Sequence, residues 1–121
     1  MKNPDAVAAL AALAQEHRLA VFRLLVQAGP GGLPAGEVAT ALKLSPSALT
    51  FHFDRLRGAG LVNVRREGRS MIYAAQYDAM NALLGFLTEN CCQGAPEKCA
   101  PFVCKPAKPK SVQAKRTKVT A

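Results

Sequence analysis

Cysteine is the residue type with the most distinctive chemistry in this chain. All four cysteines, Cys91, Cys92, Cys99 and Cys104, lie within positions 91–104. Thiolates are soft ligands that select soft ions, and neighbouring thiols can also be oxidised to a disulfide. We therefore expect a segment that binds a metal or metalloid ion. Three alternatives stay open: a four-thiolate zinc site, a redox switch through a Cys91–Cys92 or Cys92–Cys99 disulfide, and cysteines without a role.

The spacing of the cysteines favours a site at the end of a helix. Adjacent side chains on an intact helix point about 100° apart, so Cys91 and Cys92 converge more easily where the helix stops. Pro96 bars continuation of the helix, and the following loop is long enough to bring Cys99 back to the pair. Three thiolates suit trivalent arsenic and antimony, which are thiophilic. Cys104 is then a spare ligand, an alternative third ligand or idle.

Five helices and one hairpin must position this segment. Apolar side chains at helical spacing predict helices over residues 5–15, 17–28, 34–43 and 77–90, and a further one that Ser45 and Pro46 open and Gly58 stops. Alternation with a period of two over 61–64 and 71–74 predicts a two-stranded ribbon, with Gly68 supplying a positive φ in its turn. The predicted fold class is mainly α, as an α+β arrangement.

The fourth helix is predicted to have one buried face and one exposed face. Leu49, Phe53 and Leu56 recur at i, i+4 and i+7, which indicates a buried stripe. The outward face then carries Ser47, Thr50, Phe51, Asp54 and Arg57, with Arg55 toward one edge. A short helix, a turn, this helix and an arginine-tipped hairpin are typical of a winged helix-turn-helix, whose second helix fits the major groove of DNA. The alternative is a basic, solvated hairpin on an unrelated small α+β domain.

The positive charge is concentrated in two places. The chain has a net charge of +8, of which residues 43–70 contribute +4 and residues 105–121 contribute +6, offset by −2 over residues 71–104. The last segment has two prolines and no aromatic residue, so we expect a disordered tail that adds salt-sensitive, non-specific DNA affinity. No stretch approaches 18 apolar residues and no signal peptide is recognisable. We therefore expect a cytoplasmic protein that makes no membrane contact.

Three segments resemble the ArsR/SmtB family of bacterial metal-responsive repressors. They are HRLAVFRLL at 17–25, GEVATALKLSPSALTFHFDRLRGAGLV at 36–62 and REGRSMIYA at 66–74. The resemblance covers residues 5–92. It implies a homodimer that is built by the first and last helices and reads an inverted repeat in double-stranded operator DNA.

Two departures from the family pattern change what is expected of this chain. The helix that reads GEVATALKL has no cysteine, so the ELCVCDL-type arsenic site of many relatives is absent. Pro46 and Phe51 stand where the family tends to carry amides, so bidentate readout by amides is lost there. Phe51 is predicted either to contact a thymine methyl group or to be a shielded surface aromatic.

The resemblance and the outward face together assign roles to individual residues. The expected dimer interface comprises Leu10, Leu13, Tyr77, Met80, Leu84 and Leu87, and Cys91 is expected to extend the apolar stripe of the last helix. The expected DNA contacts are Ser45, Ser47, Thr50, Phe51, His52, Arg55, Arg57, Arg65, Arg66 and Arg69. For His52 we prefer the alternative of a histidine at the edge of the core, and His17 is assigned to the start of a helix.

The run TENCCQG at 88–94 is similar to that of a subgroup of arsenic repressors whose cysteines follow the last helix. The similarity implies an As(III) site at Cys91, Cys92 and Cys99, with Sb(III), methylarsenite, Cd(II) or Zn(II) as alternative inducers and no organic cofactor. The predicted function is a repressor that releases its operator when As(III) binds, and a thiol redox sensor or a cadmium or zinc sensor is the alternative. We expect no enzymatic activity, because no anion-binding loop precedes Cys91.

The predicted organisation has three parts. Residues 1–92 form the winged helix-turn-helix and dimerisation domain, residues 91–104 form the cysteine-rich metalloid segment, and residues 105–121 form the basic tail.

Overall fold

The computed structural model describes residues 1–91, so Cys92, Cys99, Cys104 and the basic tail lie outside the described residues. The chain divides into two units, Met1–Leu83 and Leu84–Ala121. The elements in chain order are α1 (Asn3–Leu13), α2 (Glu16–Ala28), β1 (Leu33–Pro34), α3 (Ala35–Leu42), α4 (Pro46–Gly58), β2 (Val62–Glu67), β3 (Ser70–Ala75) and α5 (Tyr77–Leu87). None of the helices in this part of the chain is long and apolar enough to cross a membrane. The five predicted helices are confirmed.

Side chains at the ends of α1 and α2 explain where these helices begin. The Asp5 carboxylate accepts the backbone N–H of Lys2 at 3.1 Å, so α1 begins two residues earlier than predicted. Gln15 is the N-cap of α2, because its side-chain oxygen accepts the backbone N–H of Arg18 at 3.0 Å. The Arg18 Nε then donates to the carbonyl of Ala12 at 2.6 Å and satisfies one of the last carbonyls of α1. His17 is the second residue of α2, which confirms its assignment to a helix start.

The sheet has three antiparallel strands in the order β1-β3-β2, so the prediction of a two-stranded ribbon was incomplete. The added strand β1 pairs Leu33 with Tyr73, while β2 pairs Val64 with the same Tyr73 from the other side. The wing formed by β2 and β3 is longer than predicted. Gly68 lies in its turn at φ +62°, which confirms its predicted role.

Gly32 is the residue that lets β1 approach β3. Its φ is +74°, and a Cβ at this position would overlap the carbonyl oxygen of Tyr73. Only glycine combines this left-handed backbone with so close an approach. Pro34, predicted in the first turn of the third helix, ends β1 and precedes α3.

The core of residues 1–83 joins the helices to the sheet. Its most deeply buried large side chains come from α2, α3, α4 and the start of the wing: Val21, Leu25, Val38, Leu49, Phe53, Leu56 and Leu61. The predicted buried stripe of α4 is therefore confirmed. Phe53 lies flat on Tyr73 of β3, with ring centroids 3.6 Å apart and planes within 4°. This stack fixes α4 against the sheet.

Helix α5 ends earlier than predicted, at Leu87 rather than at residue 90. The Thr88 hydroxyl donates to the carbonyl of Leu84 at 2.8 Å, and Asn90 takes a left-handed conformation at φ +57°. Both features are typical of a helix end. Cys91 therefore follows the helix, so the expectation that it extends the apolar stripe of α5 was wrong. A site at the end of the helix, the other expectation for this residue, is compatible with this geometry.

The residues predicted for a dimer interface differ in exposure. On α1, Leu10 is 42% exposed beside Val7 at 64%, while Leu13 is half-buried. On α5, Leu84 and Leu87 are 50% and 54% exposed. Tyr77 and Met80 are half-buried, and the Tyr77 hydroxyl donates to the carbonyl of Val26 at 2.8 Å. Large apolar side chains thus remain on the surface of both helices.

Candidate nucleic-acid interface

The start of α4 is built as its sequence predicts. Ser45 is the N-cap, and its hydroxyl accepts the backbone N–H of Ala48 at 3.2 Å. Pro46 occupies the first turn, where its missing N–H leaves no unsatisfied donor. The Thr50 hydroxyl donates to the carbonyl of Pro46 at 2.9 Å. The hydroxyls of Ser45 and Thr50, both predicted DNA contacts, therefore already make hydrogen bonds that stabilise the start of α4.

One missed feature lies just before α4. Lys43 was predicted inside the third helix, yet it is the C-cap of α3 at φ +56° and is exposed. Neither glycine nor asparagine, the usual residues for this conformation, marks the helix end in the sequence. The turn between the two helices therefore carries a cation beside the start of α4.

The outward face of α4 is exposed as predicted, with Ser47, Thr50, Phe51, Asp54, Arg55 and Arg57 all on the surface. Phe51 is 51% exposed, which is unusual for a phenylalanine on a helix with a complete buried stripe. The Arg55 guanidinium lies over the Phe51 ring, 5.0 Å from its centroid. Arg57 instead lies 3.7 Å from Asp54, in a solvent-exposed ion pair. The two arginines of this face are therefore held differently.

His52 belongs to the edge of the core, as preferred from the sequence, although it was also included among the DNA contacts. It is 8% exposed, and its Nδ1 is buried without a hydrogen-bond partner among residues 1–91. The ring stacks on His17 of α2 at 5.5 Å and meets Phe51 edge-on at 5.6 Å. Burial, and then the charges of Arg18 and His17, lower the pKa of His52 below its ordinary value of 6.5.

The three arginines predicted to contact DNA from the wing are all exposed, and two of them make side-chain hydrogen bonds within the protein. Arg65 Nε lies 2.7 Å from Glu67 Oε2, and Arg65 Nη2 donates to the carbonyl of Gly31 at 2.8 Å. Arg66 Nε donates to the carbonyl of Gly68 at 3.3 Å, within the turn. Arg69 has no ion pair or side-chain hydrogen bond to the residues that the structure describes.

Of the three predicted As(III) ligands, only Cys91 falls within the described residues. It is half-buried, and its backbone N–H donates to the carbonyl of Thr88 at 3.0 Å, in the turn that follows α5. Within residues 1–91 there is no group of three or more histidine, cysteine, aspartate or glutamate side chains placed to hold a metal ion.

Comparison with known proteins agrees with this geometry. A family model described as a helix-turn-helix domain matches residues 13–65. The transcriptional activator HlyU of Vibrio cholerae is 36% identical over 91 residues, which cover 75% of this chain and 82% of HlyU. A structure of reduced HlyU from that organism superposes with a TM-score of 0.57 at 37% identity, covering 69% of this chain and 88% of HlyU.

Two further solved structures share the fold. An ArsR-like transcriptional regulator from Rhodococcus gives a TM-score of 0.62 at 28% identity, over 69% of this chain and 76% of that one. A domain of a possible ArsR-family regulator from Mycobacterium bovis, described as homodimeric with a winged helix-turn-helix, gives a TM-score of 0.59 at 26% identity. That match covers 70% of this chain and 77% of the domain.

Proposed function

Since this chain belongs to the ArsR/HlyU family of winged helix-turn-helix transcriptional regulators, we propose that it is a repressor that binds an inverted repeat in double-stranded operator DNA as a homodimer. Trivalent arsenic is the proposed inducer. The observation that carries the DNA-binding part is the exposed face of α4, which presents polar, aromatic and cationic side chains opposite a complete buried stripe. Such a helix, placed in the major groove, exposes its side chains to the edges of the bases.

The homodimer is supported by apolar side chains that the single chain leaves on its surface. Val7 and Leu10 on α1, and Leu84 and Leu87 on α5, are between 42% and 64% exposed. When a second copy covers such side chains, the dimer is stabilised by about 25 cal/mol for each square ångström of apolar surface removed from water. Two copies related by a twofold axis would present two α4 helices to the two halves of a palindromic operator.

Arsenic sensing is supported by the cysteines themselves. Cys91, Cys92 and Cys99 supply three thiolates within nine residues of sequence, beginning in the turn that ends α5. Binding of one ion by all three would constrain the chain directly after α5, the helix proposed to contact the second copy. A coupling of about 1–3 kcal/mol between the two sites, which is typical of such systems, would lower operator affinity roughly 5- to 150-fold.

Titration of arsenite into a fluorescent protein–operator complex tests the proposal. We expect the anisotropy of the wild-type complex to fall, and Cys91→Ser or Cys92→Ser to abolish the response while operator affinity without arsenite is retained. Cys104→Ser is the matched control, because it removes a cysteine outside the proposed three-ligand set. An undiminished response in both Cys91→Ser and Cys92→Ser refutes the assignment of the inducer.

A thiol redox sensor of the same fold is the second candidate, because one of the similar structures is described as reduced HlyU. In this case, oxidation of two neighbouring thiols to a disulfide, rather than a bound ion, would weaken operator binding. Release of DNA by peroxide without any metalloid, together with no effect of arsenite under reducing conditions, distinguishes this candidate from the first.

A further inference from the structure

The pair formed by Phe51 and Arg55 on α4 is the most specific feature of the exposed face. The two residues are one helical turn apart, and the guanidinium lies over the ring at 5.0 Å. Arg55 has no ion pair or side-chain hydrogen bond within residues 1–91, unlike Arg57, which lies beside Asp54. The Arg55 donors are therefore available to a ligand, and the ring restricts where they point.

We propose that Phe51 and Arg55 act as one reading unit that recognises a thymine next to a guanine in the operator. The inference rests on the proposed function, since it requires α4 to lie in the major groove. Arginine donates two parallel hydrogen bonds to O6 and N7 of guanine, and an aromatic side chain contacts the methyl group of thymine. Both partners lie on the major-groove edges of the bases.

The geometry of the pair sets the distance between the two bases. Neighbouring base pairs are about 3.4 Å apart along the helix axis, and pairs two steps apart are separated by about 6.8 Å. The 5.0 Å from the guanidinium carbon to the ring centroid can span one step with a lateral offset. It matches a separation of two steps less closely. The inferred target is therefore a thymine and a guanine in adjacent base pairs.

The pairing also makes the two contacts interdependent. A flexible arginine loses side-chain entropy when it is fixed on a base, and the Phe51 ring restricts Arg55 before DNA binds. Removal of the ring should therefore weaken the guanine preference of Arg55 as well as the thymine contact. Independent contacts would lack this coupling.

Selection from a randomised duplex library by the full-length protein, followed by competition anisotropy, tests this inference. The wild-type consensus should contain an adjacent thymine and guanine in each half-site. Replacing the guanine should cost roughly 5- to 150-fold in affinity, the range of one bidentate pair. Replacing the thymine by deoxyuridine, which lacks only the methyl group, should cost about 4-fold, the value of one buried methyl group.

Variants at exposed positions then assign each preference. Arg55→Ala should abolish the guanine preference, and Phe51→Ala should abolish the effect of deoxyuridine and weaken the guanine preference. Arg23→Ala is the matched control, because it removes the same charge from an exposed position on α2 outside the predicted DNA contacts and should leave both preferences intact. If Arg55→Ala instead weakens all sequences equally, Arg55 contacts phosphate and the inference is overturned. If the wild-type protein enriches no sequence, the proposed function fails, and this inference fails with it.

Discussion

Replacing Arg65 and Arg69 in turn by alanine distinguishes an arginine that stabilises the wing from an arginine that contacts DNA. Arg65 is tied to Glu67 and to the carbonyl of Gly31, whereas Arg69 has no ion pair or side-chain hydrogen bond to the described part of the chain. We expect Arg65 to hold the wing against the loop before β1, and Arg69 to contact phosphate. The sequence predicted the same DNA-contacting role for both.

The contacts of Arg65 indicate how much stability it contributes. Its side chain is 44% exposed and that of Glu67 is 57% exposed, so solvent screens the ion pair and limits it to about 0.2–1 kcal/mol. The hydrogen bond to the Gly31 carbonyl adds about 0.5–1.5 kcal/mol. We therefore expect Arg65→Ala to lower the free energy of unfolding by about 1–2 kcal/mol. The corresponding fall in Tm is roughly 5–15 °C.

The salt dependence of operator binding gives the second measurement. Each phosphate contact contributes about 0.9 to the slope of log K against log salt concentration. Arg69→Ala should reduce this slope by about 0.9 for each wing that contacts the DNA and leave the Tm nearly unchanged. Arg65→Ala should lower the Tm and leave the slope unchanged. If both variants reduce the slope equally and neither changes the Tm, the reasoning from the Arg65 contacts is refuted.

Two further predictions concern the stability of residues 1–83. Gly32→Ala should lower the free energy of unfolding by more than about 2 kcal/mol, because it adds a clash with Tyr73 to the cost of a positive φ. Gly60→Ala, at a similar φ of +78° but with open space around its Cβ, should cost only the backbone strain, so equal chemical-denaturation midpoints for the two variants would contradict the clash. Because the pKa of His52 is lowered in the folded state, the unfolded chain binds more protons below about pH 6.5, and stability should fall as the pH decreases through this range. The Tm of His52→Gln should change less with pH than the Tm of the wild type. An unchanged pH dependence of the Tm would exclude His52 as its source.

Local signals explain which parts of the fold could be predicted. Ser45, Pro46 and Gly58 define the ends of α4, and the spacing of Leu49, Phe53 and Leu56 defines its buried face. Capping, the fixed φ of proline and helical periodicity all act over a few residues, so a sequence shows them directly.

Features that depend on distant partners could not be predicted in this way. Strand β1 has only two residues, and its pairing with β3 makes it a strand. The carbonyl that binds Arg65 is 34 residues away, so the spacing of charges in the wing gave no sign of it. On α5, the periodicity selected Leu84 and Leu87, yet the buried residue is Leu83. Apolar spacing marks a face of a helix without showing whether its own chain or another covers that face.

The stack of Phe53 on Tyr73 has a mechanical consequence for any signal that reaches this domain. Phe53 belongs to α4, and Tyr73 lies in the central strand, held by Leu33 on one side and Val64 on the other. A rotation of α4 is therefore transmitted to the wing through this stack, and we expect the two elements to move together as one unit. Under the proposed function, in which both elements contact the operator, a small rotation of the whole unit would displace both of them from the DNA.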